Sequence, residues 1–193
     1  RSGMVDRLGL RGRTVLGDAT FFGRLYVNGR RERKGLEASW TGRAVSISTE
    51  YVHMTDERKG LGENAEDLPS VSARGWYVSG TWAMKGERRR GRIEPRRSVF
   101  TGGVGAIELA ARIEALQFDT ATYPGALFGA PNRDSLLANS DHVRTVGVNW
   151  YLDRYIRLQA NLVNESIKDP QRSPAPRSGG RFRTAVFLVQ FVL

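Results

Sequence analysis

Strict alternation of apolar and polar residues is the feature of this sequence that most constrains the fold. In residues 106–116 an apolar side chain recurs at almost every second position, whereas an amphipathic helix would repeat every 3.6 residues. Ile107 and Leu109 therefore fall on one face of an extended strand, and Glu108 and Arg112 fall on the other. The pattern predicts a β-strand with one aliphatic and one charged face.

The same alternation recurs along the chain and predicts about eight strands. Residues 145–152 and 156–165 alternate on either side of Asp153-Arg154, which is predicted to be a tight turn. Each arm runs about ten residues, close to the roughly 9–11 that a tilted strand needs to cross a bilayer, whereas soluble strands average about 5 or 6. The other predicted strands are 21–28, 36–40, 45–51, 76–84 and 181–193, the last of ambiguous phase because it is nearly all apolar.

Alternation alone leaves two architectures open. In a soluble barrel or sandwich the aliphatic face points inward, whereas in a membrane barrel it meets lipid and the charged face lines water. Strand length favours the membrane barrel, so we expect an all-β, antiparallel transmembrane β-barrel with residues 1–193 in one domain. The chain has no cysteine, which excludes disulfides and thiolate chemistry, and its net charge of +10 favours anionic partners.

Several motifs occur in an order that resembles the phosphate-selective porin O/P family. They are Lys-Gly-Leu-Glu-Ala-Ser-Trp at 34–40, Gly-Trp-Tyr-Val-Ser-Gly-Thr-Trp at 75–82, Gly-Ala-Ile-Glu-Leu-Ala-Ala-Arg at 105–112 and Gly-Val-Asn-Trp-Tyr-Leu at 147–152. The resemblance covers most of residues 20–193. It implies a sixteen-stranded, usually trimeric barrel in the bacterial outer membrane, of which this chain would supply the C-terminal half. Because the interior of an eight-stranded barrel is filled by side chains, we expect this chain alone to conduct poorly.

The resemblance also implies an orientation. Residues 56–74, 119–141 and 169–180 would be external loops, and residues 85–105, here called the basic turn, would lie on the periplasmic side. One departure is the C-terminal end, because the family tends to finish on an aromatic residue whereas Phe191 is followed here by Val192 and Leu193.

The basic turn holds the sharpest candidates for contact with anions. Channels select anions with Arg and Lys, and the planar fork of Arg suits phosphate oxygens. In the resembled family a periplasmic turn near this place folds into the lumen. The alternative is a solvated turn, or one that touches headgroups or a neighbouring protein. Its basic residues are Lys85, Arg88, Arg89, Arg90, Arg92, Arg96 and Arg97.

Further candidates lie on the polar strand faces. Arg24, Arg112 and Arg157 could contact anions from the wall, although pairing with lumen carboxylates is the favoured alternative. The predicted lumen carboxylates are Glu37, Glu50, Glu108, Glu114 and Glu165. The aromatic residues predicted for interfacial girdles, with core packing as the alternative, are Trp40, Trp76, Trp82, Trp150, Tyr51 and Tyr155.

The leading hypothesis is an outer-membrane porin for passive diffusion of small anions, with phosphate as one candidate. Its expected partners are the lipid bilayer, lipopolysaccharide, and either identical chains in a homotrimer or other outer-membrane proteins. We expect no cofactor, metal site or catalytic residue: His53 and His142 lack a metal-ligand spacing and are interpreted as surface residues. The alternatives are a structural barrel in a larger assembly without selective transport and, last, a soluble barrel that binds nucleic acid.

Overall fold

The computed structural model is built almost entirely of β-strands. It describes residues 2–14, 20–62, 64–85, 87–89, 92–120, 138–169 and 180–191. Within these residues no helix is long and apolar enough to span a membrane. The strands are β1 (Ser2–Arg13), β2 (Thr20–Thr41), β3 (Val45–Arg58), β4 (Leu68–Lys85), β5 (Glu87–Arg89), β6 (Arg92–Glu94), β7 (Ala106–Thr120), β8 (Asn139–Tyr151), β9 (Ile156–Ile167) and β10 (Arg181–Phe191), with a 3₁₀ turn at Val99–Thr101.

Eight strands form one antiparallel sheet in the order β1-β2-β3-β4-β7-β8-β9-β10, and β5 and β6 form a separate hairpin. This confirms the predicted all-β antiparallel architecture. The predicted number of strands is right for the main sheet, but the predicted assignment of residues to those strands is not. The segments predicted at 21–28 and 36–40 are one strand, β2, and β1 was not predicted. The sheet is open, with β1 and β10 at its edges.

The sheet curls around one face, here called the inner face. Leu25 and Val27 of β2 belong to the same buried apolar cluster as Phe118 of β7 and Ile167 of β9, with Phe182 of β10 packed against it. Strands so far apart in the sheet order can share one cluster only if the sheet rolls up around it. This inner cluster also contains Val71 and Ala73, and the partly buried Val5, Leu10 and Met54 pack against it.

The opposite, outer face carries the aliphatic and aromatic stripe. Leu36 is 75% exposed and Phe187 is 78% exposed, as expected if these side chains point away from the protein. On β7 the stripe runs from Ile107 to Ala115, about 25–30 Å along the strand, which a tilt of 35–45° reduces to roughly 20–25 Å. That height matches the apolar band of outer-membrane barrels. The aliphatic stripe therefore points outward, as the strand lengths predicted.

A line of β-bulges crosses the first strands beyond this band. The register shifts between Val5 and Leu8 on β1 and between Asn28 and Arg31 on β2. Gly29, in the second bulge, has φ +112°. Bulges increase the local bend and twist of a strand. We therefore expect β1 and β2 to bend at these positions, which would help Leu25 and Val27 to reach the inner cluster.

The connections differ from those expected in one respect. β3 continues to Arg58 and β4 begins at Leu68, so most of the predicted loop 56–74 is strand and only residues 59–67 connect the two. The bulk of the predicted loops 119–141 and 169–180, namely residues 121–137 and 170–179, lies outside the described residues. The connections at 42–44 and 152–155, at the other end of the sheet, are short.

Candidate pore wall

Four carboxylates lie in one register row across the inner face. Glu37 pairs with Glu50, and the row continues through Tyr77 to Glu114 and from there through Val143 to Glu165. Residues that share a register position lie on the same face of a sheet, so these side chains follow one another around the inner wall. Glu37, Glu50, Glu114 and Glu165 are here called the acidic row.

Arg112 is neutralised by its neighbours on this wall. Its Nε donates to Glu114 Oε2 at 2.7 Å, and its guanidinium lies 3.8 Å from the centroid of the Tyr77 ring. The ion pair and the cation–π contact fix the side chain against the strand. The alternative of structural pairing, favoured from the sequence, thus has direct geometric support at Arg112.

Arg157 and Glu108 belong to a second polar network, near the short turn between β8 and β9. Glu108 Oε2 accepts from Asn149 Nδ2 at 2.9 Å and from Tyr151 Oη at 3.0 Å. Arg157 Nη1 donates to Tyr151 Oη at 3.4 Å, and its Nη2 donates to Gln190. Both charged groups are therefore bound within the wall of β7–β10.

Arg24 does not line the inner wall, which corrects its predicted placement. Its neighbours Leu25 and Val27 are buried in the inner cluster, whereas Arg24 is exposed on the opposite side of β2 and lies over Gly9 of β1. The expectation assumed that polar residues point inward everywhere. That rule holds only along the lipid-facing band. Beyond it, in water, the apolar side chains pack inside and Arg24 is solvated.

The structure also brings together groups that the sequence did not single out. Asp141 lies within hydrogen-bonding reach of Glu165, and both are buried. Asp141, Glu50 and Glu114 line an inner cavity of about 310 Å³, into whose lining β1 contributes Arg13. Strand alternation could have placed Asp141 on the inner face, but no local signal places β1 opposite β7 and β8.

A buried ion pair lies beside the inner cluster. Arg31 donates through Nε and Nη2 to the two carboxylate oxygens of Asp56 at 2.6 and 2.7 Å, and Asp56 is fully buried. The inner face thus changes character along its length. Near the long connections it holds the inner cluster, this ion pair and other buried polar groups such as Arg58 and Asn139, and farther along the sheet it carries the acidic row.

The basic turn is anchored at the opposite end of the sheet. Val99 N donates to Leu152 O at 2.9 Å, and Trp150 Nε1 donates to Val104 O at 2.9 Å, so the turn is tied to β8 and the turn that follows it. Arg90 and the side chains of Arg88, Arg89 and Arg92 lie outside the described residues. Lys85, Arg96 and Arg97 are exposed, and Ile93 on β6 is buried.

The predicted girdle aromatics are all exposed. Trp40, Trp82 and Trp150 lie towards the short turns, and Tyr51 and Trp76 lie towards the long connections. Two levels of exposed rings at the borders of an apolar band are typical of the two membrane interfaces. This arrangement does not fit the alternative of core packing. Tyr155, in the turn after β8, is also exposed.

Within the described part of the chain, no group of three or more His, Asp and Glu residues is placed to hold a metal ion. His53 is half-buried and bonds Ser72 Oγ at 2.9 Å, and His142 is exposed.

The comparisons with known proteins agree with this geometry. The family model for phosphate-selective porin O and P matches residues 17–192, which is most of the chain. No curated protein sequence matches the chain significantly. An eight-stranded antiparallel sheet with an outward apolar band and a polar inner wall is the expected framework of a porin, and the family is a channel family of the bacterial outer membrane. The chain belongs to the phosphate-selective porin O and P family.

Proposed function

We propose that this porin chain forms part of a passive diffusion channel for small anions, phosphate among them, and that the basic turn attracts them. The observation that carries this proposal is the anchoring of that turn, by the bonds from Val99 and Trp150, to the end of β8 near the short turns. A turn that is not anchored would hold its positive charge at no fixed position relative to the sheet. The sequence of the turn contains seven Lys and Arg residues against Glu87 and Glu94, and anchoring keeps the turn near this end of the sheet.

The charges on the inner wall support assigning the attraction of anions to the basic turn. Arg112 is paired with Glu114, Arg157 is bound within its network, and Arg24 faces away. Glu37 and Glu50 of the acidic row add carboxylates to the described inner wall, and a ring of acids favours cations. We therefore assign the anion preference of this chain to a separate basic element, the basic turn.

Burial near the start of β7 supports a position of the basic turn over the inner face. Ala106 and Glu108, on the inner side of β7 just after the turn, are buried, and so is Ile93 within it. Glu37, which lies farther along the same inner face, is exposed. We infer that the turn folds toward the lumen, where its Arg guanidinium groups would come within reach of a passing phosphate.

The test is conductance and reversal potential in planar bilayers of neutral lipid under a salt gradient. Arg88→Gln/Arg89→Gln/Arg90→Gln is expected to lower the anion-to-cation permeability ratio several-fold, because it removes three charges beside the passage. The matched control, Arg144→Gln/Arg181→Gln/Arg183→Gln, loses the same charge from the outer face and should keep the native reversal potential. An unchanged reversal potential in the turn variant rejects the role of the turn.

The inner cluster favours a second candidate, a structural outer-membrane barrel without selective transport. Leu25, Val27, Phe118 and Ile167 fill the inner side at one end, as expected for an eight-stranded barrel with no open lumen. The same bilayer recording separates the candidates. A protein that inserts and folds but carries no current at any salt concentration would support the structural one. We also propose that the connections predicted at 56–74, 119–141 and 169–180 face the cell exterior, the first of them shortened to 59–67 by β3 and β4, and that identical chains form a trimer.

A further inference from the structure

The outer faces of β8, β9 and β10 share a compact basic surface. One register row joins Arg144, Asn164 and Arg183, and the adjacent row joins His142, Ser166 and Arg181. All of these side chains are exposed except Ser166, which is half-buried. Because neighbouring strands lie about 4.8 Å apart, Arg144 and Arg183 flank β9 at a separation of about 10 Å. These six residues are here called the arginine patch.

The patch lies directly on the border of the apolar band. The next register row is Val146, Leu162 and Ala185, and Val148, Ala160 and Phe187 follow it. Most of these apolar side chains are exposed, as lipid-facing residues are. A lipid whose acyl chains lie along these rows would carry its headgroup to the arginines.

The charge of the patch is not neutralised by its own strands. The carboxylates of β8 and β9, Asp141 and Glu165, are buried on the inner face. Two other outer cations beyond the band have acidic partners: Lys34 pairs with Glu32 at 3.1 Å and Arg74 with Asp119 at 2.7 Å. Among the described residues, the outer face of β8–β10 carries no carboxylate.

We propose that the arginine patch is a binding site for the phosphate groups of a phosphorylated glycolipid in the outer leaflet, the lipid A part of lipopolysaccharide. Arg guanidinium binds phosphate bidentately, and Asn164, Ser166 and His142 offer further hydrogen bonds to phosphate and sugar oxygens. The chain leaves the sheet at this end between β7 and β8 and again between β9 and β10, and long connections are extracellular in outer-membrane barrels. The site rests on residence in the outer membrane and not on the ion selectivity proposed above.

The experiment is a titration of the full chain, folded in nanodiscs of neutral lipid, with bis-phosphorylated lipid A, followed by native mass spectrometry. A second titration uses lipid A with the same acyl chains and both phosphates removed. The test variant is Arg144→Gln/Arg183→Gln. The matched control is Arg43→Gln/Arg154→Gln, which removes two exposed arginines from the short turns at the other end. Circular dichroism checks that every variant retains its β-structure.

The native chain should bind the phosphorylated lipid about twentyfold more tightly than the test variant, since each basic side chain at an anionic lipid surface contributes roughly a factor of five. The control should bind like the native chain, and removal of the phosphates should abolish the difference. Equal binding of the two lipids by the native chain, or an equal loss in the control, would overturn the proposal. A test variant that changes only the number of chains per particle would instead assign the patch to contacts between copies.

Discussion

Asp56 is a fully buried carboxylate that accepts two hydrogen bonds from the guanidinium of Arg31, so loss of Arg31 would leave a buried charge beside the inner cluster. Arg31→Met should lower the free energy of unfolding by about 3–5 kcal/mol, because it leaves a buried charge without its partner. The measurement is urea unfolding in lipid vesicles, followed by the fluorescence of the four Trp residues. Lys34→Met, which breaks the exposed pair with Glu32, should cost less than about 1 kcal/mol.

The double variant Arg31→Met/Asp56→Leu separates burial of a lone charge from loss of the pair itself. Asp56 pairs in register with Val71 of the inner cluster, so an apolar residue there extends the cluster. Replacing both members of a buried pair by apolar groups is often close to neutral. A double variant as unstable as Arg31→Met alone would contradict this account of the pair.

Gly29 lies in the β2 bulge with φ +112°, a conformation that side chains with a Cβ rarely adopt. A Cβ there would also lie 2.8 Å from Glu57 Oε2, which accepts a hydrogen bond from Arg30 N at 2.9 Å. Gly29→Ala should therefore destabilise the fold by about 1–3 kcal/mol in the same urea assay. Gly3→Ala, whose Cβ would meet nothing within 4 Å, is the control. Equal midpoints for the two variants would show that the bulge tolerates a side chain.

At the scale of strands, the acidic row predicts how the wall affects selectivity. Glu37 is exposed and Glu50 half-buried on the inner face, and the two lie opposite each other in register. Glu37→Gln/Glu50→Gln should raise the anion-to-cation permeability ratio, since fewer carboxylates then face the passage. Glu32→Gln/Asp119→Asn removes the same charge from the outer face and should have no effect on reversal potential. An unchanged ratio in the inner variant would mean that ions do not pass along this row.

The strands also show where periodicity predicts structure and where it does not. On β7, β8 and β9 each residue lies on the predicted face because these strands cross the apolar band, where lipid forces the apolar residues outward. β2 is longer than the band. In the part of β2 that extends beyond the band, the apolar residues point inward and the polar residues outward. Alternation alone therefore assigns Arg24 to the wrong face. Alternation marks two faces, but it does not record where lipid ends.

The candidate site was less predictable than the fold. The pairing of Arg112 with Glu114 is local, two positions apart on one strand, and could be anticipated. The inner cluster joins β2 with β9 and β10, and the cavity joins Arg13 with Asp141. Such contacts depend on how far the sheet curls. Curl depends on bulges and on the total number of strands, which no short motif encodes.

For the whole molecule, the open edges of the sheet decide the width of any passage. β1 and β10 are the edges of the eight-stranded sheet, and a closed barrel requires them to be joined directly or through further strands. Direct closure would keep the inner cluster packed, whereas additional strands would widen the barrel and expose it to water. The conductance of this chain alone should therefore be much smaller than that of a sixteen-stranded assembly containing it, measured per inserted unit in the same bilayer. Equal conductances would contradict the filled interior.

The central claim is that the aliphatic face meets lipid and the charged face meets water. The chain has no cysteine, so single cysteines can be placed at each of residues 109–114 of β7 and spin-labelled in vesicles. Electron paramagnetic resonance then compares collision with lipid-soluble oxygen and with a water-soluble nickel complex. The account predicts a period of two, with oxygen contact at Leu109, Ala111 and Ile113 and nickel contact at the three residues between them. Nickel contact at 109, 111 and 113 with oxygen contact at 110, 112 and 114, or a flat profile, would contradict it.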